Sequence, residues 1–272
     1  MRALAACLIA GFAMPAVAQS IQMPVWALPA GRAVCGDGVA AMEQVVTEGT
    51  ETFTIQTRTE ARVCWDAFAV EDGHVVGADE TLTRWEAEQC IDGTTVCNTD
   101  PNPMLGRALR LSRGSGAGAR WTARVRDAAP TNTDAEYLRT SYDFELIAFY
   151  APDGAVEVGT SWDVPDSVLD VYFGPLGPDA TYRIRLDSAT ATTVYLTHKA
   201  SYTTTAASQP TVTRLVRTSE IDRRTGVELR ADLTTETRAT WVRTEGKPVR
   251  TTVTGTMRLS AVRRIVAALG SG

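Results

Sequence analysis

"TFTIQTRTEARVCW" (residues 52–65) decides the fold class. Phe53, Ile55, Ala61, Val63 and Trp65 fall on one side, and Gln56, Arg58, Glu60 and Arg62 fall on the other. A period of two held over that length is a half-buried strand, because successive side chains of an extended backbone point to opposite faces. The same alternation returns in Phe144, Leu146, Ala148 and Tyr150, in Tyr182, Ile184 and Leu186, and in Val194, Leu196, Ala200 and Tyr202. It returns again in Val227, Leu229, Ala231 and Leu233, set against Glu228, Arg230 and Asp232. Near the end Val249, Thr251, Val253, Met257 and Leu259 oppose Arg250, Thr252, Thr254 and Arg258.

Turn signals separate these runs: "DGH" (72–74), "PDG" (152–154), "DRRTG" (222–226) and "EGKP" (245–248). "RGSGAGAR" (113–120) lacks the Lys-Ser/Thr of a phosphate loop and predicts a hairpin turn between "ALRLS" and "RWTARV". Strands joined by short turns, with one apolar and one polar face, predict an all-β, mostly antiparallel sheet. Helix is scarce. "DSVLDVYFG" (166–174) and "SAVRRIVAALG" (260–270) each have a capping residue and a terminal Gly, and each predicts a short helix. "ADETLTRWEAEQC" (78–90) fits either a helix or a strand.

"MRALAACLIAGFAMPAVAQS" (1–20) has Arg2, an apolar run and Ala16-Val17-Ala18, the pattern of a secretory signal peptide cleaved after Ala18. That run is too short to span a bilayer, and no later stretch approaches the required length. The expected location is the periplasm or the exterior. Residues 19–100 form an N-terminal β-rich part bearing Cys35, Cys64, Cys90 and Cys97, and residues 101–272 form the longer sheet. An even cysteine count in an exported chain implies disulfides, with three possible connectivities. The loop "CIDGTTVC" (90–97) favours Cys90–Cys97 and therefore Cys35–Cys64. The close cysteine pairs of a zinc site are absent.

A net charge of −5 excludes the basic face that nucleic acid requires. Ser161, in "GTSWD" (159–163), lacks the second glycine of a nucleophile elbow, because Asp163 stands there. Of the two histidines, His74 falls in a turn, and His198 falls in register with the apolar face of its strand. "NTDPN" (98–102) begins like a calcium loop, but Pro103 replaces the needed Gly and Leu109 the closing acid. No catalytic residue, metal site or cofactor is expected from these patterns.

"APDGAVEVGTSWDVP" (151–165) and "SEIDRRTGVELRADLTTETRATW" (219–241) together resemble exported proteins similar to the periplasmic lipoprotein carrier and its relatives, over roughly residues 105–260. Gly159, Ser161 and Trp162, and Asp222, Thr225 and Gly226, carry the likeness. The resemblance implies a curved half-barrel whose concave face holds acyl chains or another apolar ligand, with 166–174 as a lid. The expected function is therefore non-enzymatic binding of a hydrophobic ligand, lipid or lipoprotein acyl chains. Phe144, Leu146, Leu196, His198, Val253 and Met257 are the expected lining residues. An envelope scaffold that binds a protein partner is the alternative, and a secreted hydrolase a third.

Overall fold

The computed structural model describes residues 20–71, 74–91, 98–99, 102, 104–112, 122–126, 152, 154–166, 169, 176, 179–206, 209–243 and 249–267. Their strands in chain order are β1 (Ser20–Gln22), β2 (Arg32–Glu48), β3 (Glu51–Glu71), β4 (His74–Ile91), β5 (Asn98–Thr99), β6 (Ala108–Ser112) and β7 (Thr122–Val125). There follow β8 (Ala155–Glu157), β9 (Ser161–Asp163), β10 (Thr181–Ala189), β11 (Thr193–Ala206), β12 (Gln209–Asp222), β13 (Glu228–Arg243) and β14 (Val249–Ala267). The fold is all-β. One 12-stranded sheet runs β7-β6-β4-β3-β2-β14-β13-β12-β11-β10-β9, with β5 beside β4, and β1 pairs with β8 in a two-stranded sheet. Among the described strands the large sheet is open, since β7 and β9 end it without pairing with each other.

The segments before and after residue 100 share this sheet. Strand β2 pairs antiparallel with β14 from Arg32↔Ala267 to Glu48↔Thr251, along its whole length. Register carries one set of side chains across every strand on the same face. A typical row is Ala61, Gly38, Ala261, Ala231, Ser219 and Leu196. This apolar face includes Phe53, Ile55, Ala61, Val63 and Trp65 of the opening stretch, as the alternation predicts. On the opposite, polar face, ion pairs such as Arg62–Asp37 across β2–β3 and Arg84–Glu86 along β4 stand in solvent. Cys35 and Cys64 face each other across β2–β3 and form a disulfide. Cys90 is also disulfide-bonded, while Cys97 lies outside the described residues.

Three hydrophobic clusters close parts of the apolar face. One joins β1 and β8 to β10–β12 around Ile184, Leu186, Val194 and Leu196. The second packs Leu82, Met104, Leu109 and Leu111 at the β4–β6 end. The third sets Trp26 and Phe68, with ring centroids 4.9 Å apart, over Val34, Val75 and Val227. Trp26 belongs to an N-terminal strap that follows β1 and crosses to the β12–β13 turn, where the Ala27 N–H donates to the Thr225 carbonyl at 2.9 Å.

The predicted helix at 260–270 does not form over 260–267. Those residues continue β14 and pair with Arg32–Val39, so every step of the ladder outweighs a local helical pattern that already contains the β-branched Val262, Ile265 and Val266. Residues 268–270 lie outside the described residues. Stretch 78–90 is strand, within β4. Within 166–174 only Asp166 and Leu169 are described; both are helical, and the Leu169 N–H donates to the Pro165 carbonyl at 3.2 Å. Among the described residues no helix is long and apolar enough to cross a membrane.

The turn 222–226 shows why its residue types are needed. The Asp222 carboxylate accepts from the N–H groups of Arg224 (3.0 Å) and Thr225 (2.7 Å) and from the Thr225 hydroxyl (2.8 Å). Gly226 has φ 68°, and a Cβ there would lie 2.5 Å from the Val25 carbonyl oxygen of the strap. Gly226→Ala is expected to cost roughly 2–3 kcal/mol of stability in urea unfolding, since left-handed strain and the clash act together. Gly31→Ala, with φ 74° and no atom within 4 Å, is expected to cost only about 1 kcal/mol, because strain alone remains.

Candidate functional site

The residues expected to line a ligand cavity separate into three groups. Phe144 and Leu146 lie outside the described residues. Leu196 (1% exposed) and His198 (0%) sit on the apolar face but deep in packed surroundings. Val253 and Met257, on β14 of the same face, are half-buried and belong to none of the three hydrophobic clusters.

Around them lies an open apolar stripe on β3, β2, β14 and β13. Its rows are Thr59–Ala40–Leu259–Leu233, Thr57–Met42–Met257–Thr235 and Phe53–Val46–Val253–Ala239. Ala40, Met42, Val46, Val253, Met257 and Leu259 on these rows are half-buried, and none belongs to a described hydrophobic cluster. The hydroxyls of Thr57 and Thr235 on the middle row are buried without a hydrogen-bond partner.

One end of the stripe abuts a buried charged cluster. A β-bulge at the start of β13, where Ile221 pairs with Glu228 while Glu220 pairs with Arg230, turns Glu228 onto the apolar face. Simple alternation places it with Arg230 and Asp232 on the polar face, and the bulge overturns that reading. Glu228 accepts from the Arg217 guanidinium at 2.6 and 2.8 Å, from the Ser219 hydroxyl at 2.6 Å and from Arg263. Burial alone would raise its carboxyl, but the two guanidinium groups and the Ser219 hydrogen bond outweigh it and hold the group at about 2.

The network continues. Ser219 spends its proton on Glu228, so its oxygen is left to accept, weakly at 3.5 Å, from Nε2–H of His198. Nδ1 then accepts from the Tyr182 hydroxyl at 3.2 Å. Burial first, and then the Arg217 charge, push His198 down to about 3, so the imidazole is neutral. Ser219 and His198 touch, yet the arrangement is not that of an activated serine. The serine proton points to a carboxylate rather than to the imidazole, and both residues are sealed at 2% and 0% exposure.

In the other direction the Arg263 guanidinium lies 5.7 Å from the centre of the Trp65 ring, whose Nε1–H donates to Glu80 at 2.8 Å. They meet above β2 because Gly36 has no side chain: a Cβ there would sit 3.2 Å from Arg263 Cγ and 3.5 Å from Trp65 Cζ3. Burial pushes Glu80 up to about 7, against the smaller pull of the Trp65 hydrogen bond.

Volume and apolar chemistry fall on opposite faces. A cavity of about 530 Å³ opens on the polar face, lined by Glu43, Gln56, Arg58, Glu88, Thr256 and Arg258 among others. Its polar groups already engage neighbours, Gln56 with Glu43 at 3.2 Å and Arg58 with Glu60 at 2.7 Å. The stripe is therefore the stronger candidate, on chemistry rather than on shape. The resemblance motif is structural in both halves. Gly159 and Thr160 make a turn tied to Leu186, and Ser161 points to the exposed polar face beside half-buried Trp162.

No protein-family model matches this sequence, and no curated protein sequence matches it. The fold is similar to that of lipovitellin, in a solved structure concerned with lipid–protein interactions. The TM-score is 0.53 at 10% identity, over 90% of this chain and 26% of the lipovitellin chain. At that identity the likeness is one of fold, and this chain spans about a quarter of lipovitellin's length.

Two of the displaced acidities act on stability with opposite signs. His198, lowered from 6.5 to about 3, contributes stability that is complete above 6.5 and is lost as pH falls through 3. Glu80, raised from 4.5 to about 7, contributes stability that is complete below 4.5 and is lost as pH rises through 7. Urea midpoints are expected to change little between pH 4.5 and 6.5, where the two oppose, and to fall on either side. Glu80→Gln should remove the decline above pH 6.5 and let the midpoint rise between pH 4.5 and 6.5, while the limb below 4.5 stays unchanged; an unaltered alkaline limb would refute the assignment.

Proposed function

We propose that this chain is an exported, non-enzymatic protein that binds a hydrophobic ligand, lipid or lipoprotein acyl chains, along the open stripe of its apolar face. The stripe carries this reading. Ala40, Met42, Val46, Val253, Met257 and Leu259 on two paired central strands are apolar, half-buried and outside the closed clusters. An apolar sheet face is stabilised by whatever covers it, whether a helix, a sheet or a ligand. Two further observations support the reading. Lipovitellin, similar in fold, is a protein whose solved structure concerns lipid–protein interactions. The stretch 1–18 has the composition of an export signal, which would deliver the chain to the periplasm or the exterior.

The expected lining narrows accordingly. Val253 and Met257 contact ligand, whereas Leu196 and His198 hold the fold behind it. The half-barrel family suggested by 151–165 and 219–241 remains part of this proposal, with 166–174 as its lid.

Native mass spectrometry of the protein exported to a periplasm, followed by solvent extraction, tests the reading. A reproducible apolar species is expected to co-purify and to be lost in Met257→Asp, with the variant's urea midpoint confirming that it is folded. A ligand-free mass across preparations, with no uptake of added lipid, would sink the proposal.

A further inference from the structure

The stripe is uncharged as well as apolar. Between its middle row and the row of Val46 and Val253 lies a further one, Ile55–Gln44–Gly255–Thr237. Across β3, β2, β14 and β13 these rows hold no acidic or basic side chain. The first charges on that face of the same strands come beyond the rows, Arg263 and Glu228 at one end and Glu48 and Glu51 at the other. The opposite face differs. Its rows Arg58–Ala41–Arg258–Thr234, Gln56–Glu43–Thr256–Glu236 and Thr54–Val45–Thr254–Arg238 alternate with those of the stripe, and each carries charge. The neutrality therefore belongs to one face and not to the strands as a whole. A charged headgroup laid on that face would lose water and meet no counter-charge there among the described residues, which is costly.

Nor is the stripe pure hydrocarbon. Thr57, Thr235, Thr237 and Gln44 set neutral hydrogen-bonding groups among its apolar side chains. The Thr237 hydroxyl donates weakly to the Gly255 carbonyl at 3.5 Å. Thr235 is different: the residue is 8% exposed, and its hydroxyl has no hydrogen-bond partner among the described residues. Register places it on the stripe directly opposite Met257. A buried hydroxyl without a partner is destabilising, and an acceptor brought up to it removes that cost. Thr57 carries a second such hydroxyl, but it stands three strand spacings away, about 14 Å, so no single polar group reaches both.

We propose that the stripe takes an uncharged acyl ester lipid. The ester carbonyl accepts from the Thr235 hydroxyl, and the hydrocarbon lies over Met257, Met42, Leu259 and Val253. An ester suits the position because its oxygens accept without carrying charge, and the threonine has a proton to give. The inference rests on the apolar-ligand reading and adds the charge and the polar group of the ligand.

Dioleoylglycerol and dioleoylphosphatidate, which share their acyl esters and differ in a phosphate, separate the two claims. The delipidated mature protein is incubated at pH 6.5 with phosphatidylcholine vesicles holding equal mole fractions of both. The vesicles are then floated away, and the lipid left on the protein is extracted and quantified. Dioleoylglycerol is expected to exceed phosphatidate about tenfold or more, since the phosphate would be desolvated unpaired. Thr235→Val keeps the shape of the side chain and removes its hydroxyl. Uptake of dioleoylglycerol should fall about fivefold in this variant, the loss of one neutral hydrogen bond, with binding of diphenylhexatriene, which has no polar group, unchanged. The ligand-free variant should also unfold at higher urea than the wild-type protein, because an unsatisfied group is gone. Uptake of both lipids in proportion, or of phosphatidate in preference, would overturn the neutral-ester assignment and leave the apolar reading standing. Uptake of neither lipid, with no binding of diphenylhexatriene, would overturn both. Full uptake by a folded Thr235→Val would overturn the hydroxyl contact. Should that variant fail to fold, Thr235→Ser, which keeps the hydroxyl, is expected to retain the uptake, and its loss there would overturn the contact instead.

Discussion

Glu228 is the point on which the described structure turns. Its carboxylate is buried and is held at once by Arg217 and Ser219 of β12 and by Arg263 of β14, while the residue itself belongs to β13. Three adjacent strands are thereby fixed at one position, and Ser219 and His198 extend the tie to β11 and to Tyr182 of β10. Arg263 carries it the other way, over Gly36 to Trp65 and Glu80. A sheet whose strands are Thr-rich on both faces has few features that resist slippage. Groups that must all be satisfied together in a dry place supply that resistance, because removing one partner of such a buried pair costs roughly 3–5 kcal/mol.

The two faces of the sheet meet different demands. On the polar face the ion pairs are mostly exposed, Arg58 at 60% and Arg62 at 49%, and pairs of that kind are worth roughly 0–1 kcal/mol each. They keep the face wetted and the charges balanced. Among the described residues the apolar face is closed at the β9–β12 side, at the β4–β7 side and beneath the Trp26 strap, and the central strands between belong to none of these clusters.

Much of the architecture is legible in the residues. Alternation in 52–65, 182–186, 194–202 and 249–259 names the faces correctly, because each strand reports its own pleat. The segment 260–270 misleads since its apolar spacing suits a helix, and only pairing with Arg32–Val39 gives it another partner. Glu228 misleads for a related reason. The bulge that turns it inward lies beside the tight Asp222–Gly226 turn, which meets the strap at Val25, a contact between residues about two hundred apart in the chain. Alternation likewise ranks Leu196 and His198 equally with Val253 and Met257, for all four share a face.

What the sequence by itself determined is which side of each strand is apolar and that the strands make an antiparallel sheet. These are local matters of side-chain period, turn chemistry and spacing. Only the tertiary structure decided where along that face the sheet is covered. Burial depends on what packs above a residue, and here that is set by the strap from residues 20–31, by β1 and β8, and by the crossing of β2 against β14. The same strand pattern therefore becomes closed core at Leu196 and open stripe at Met257.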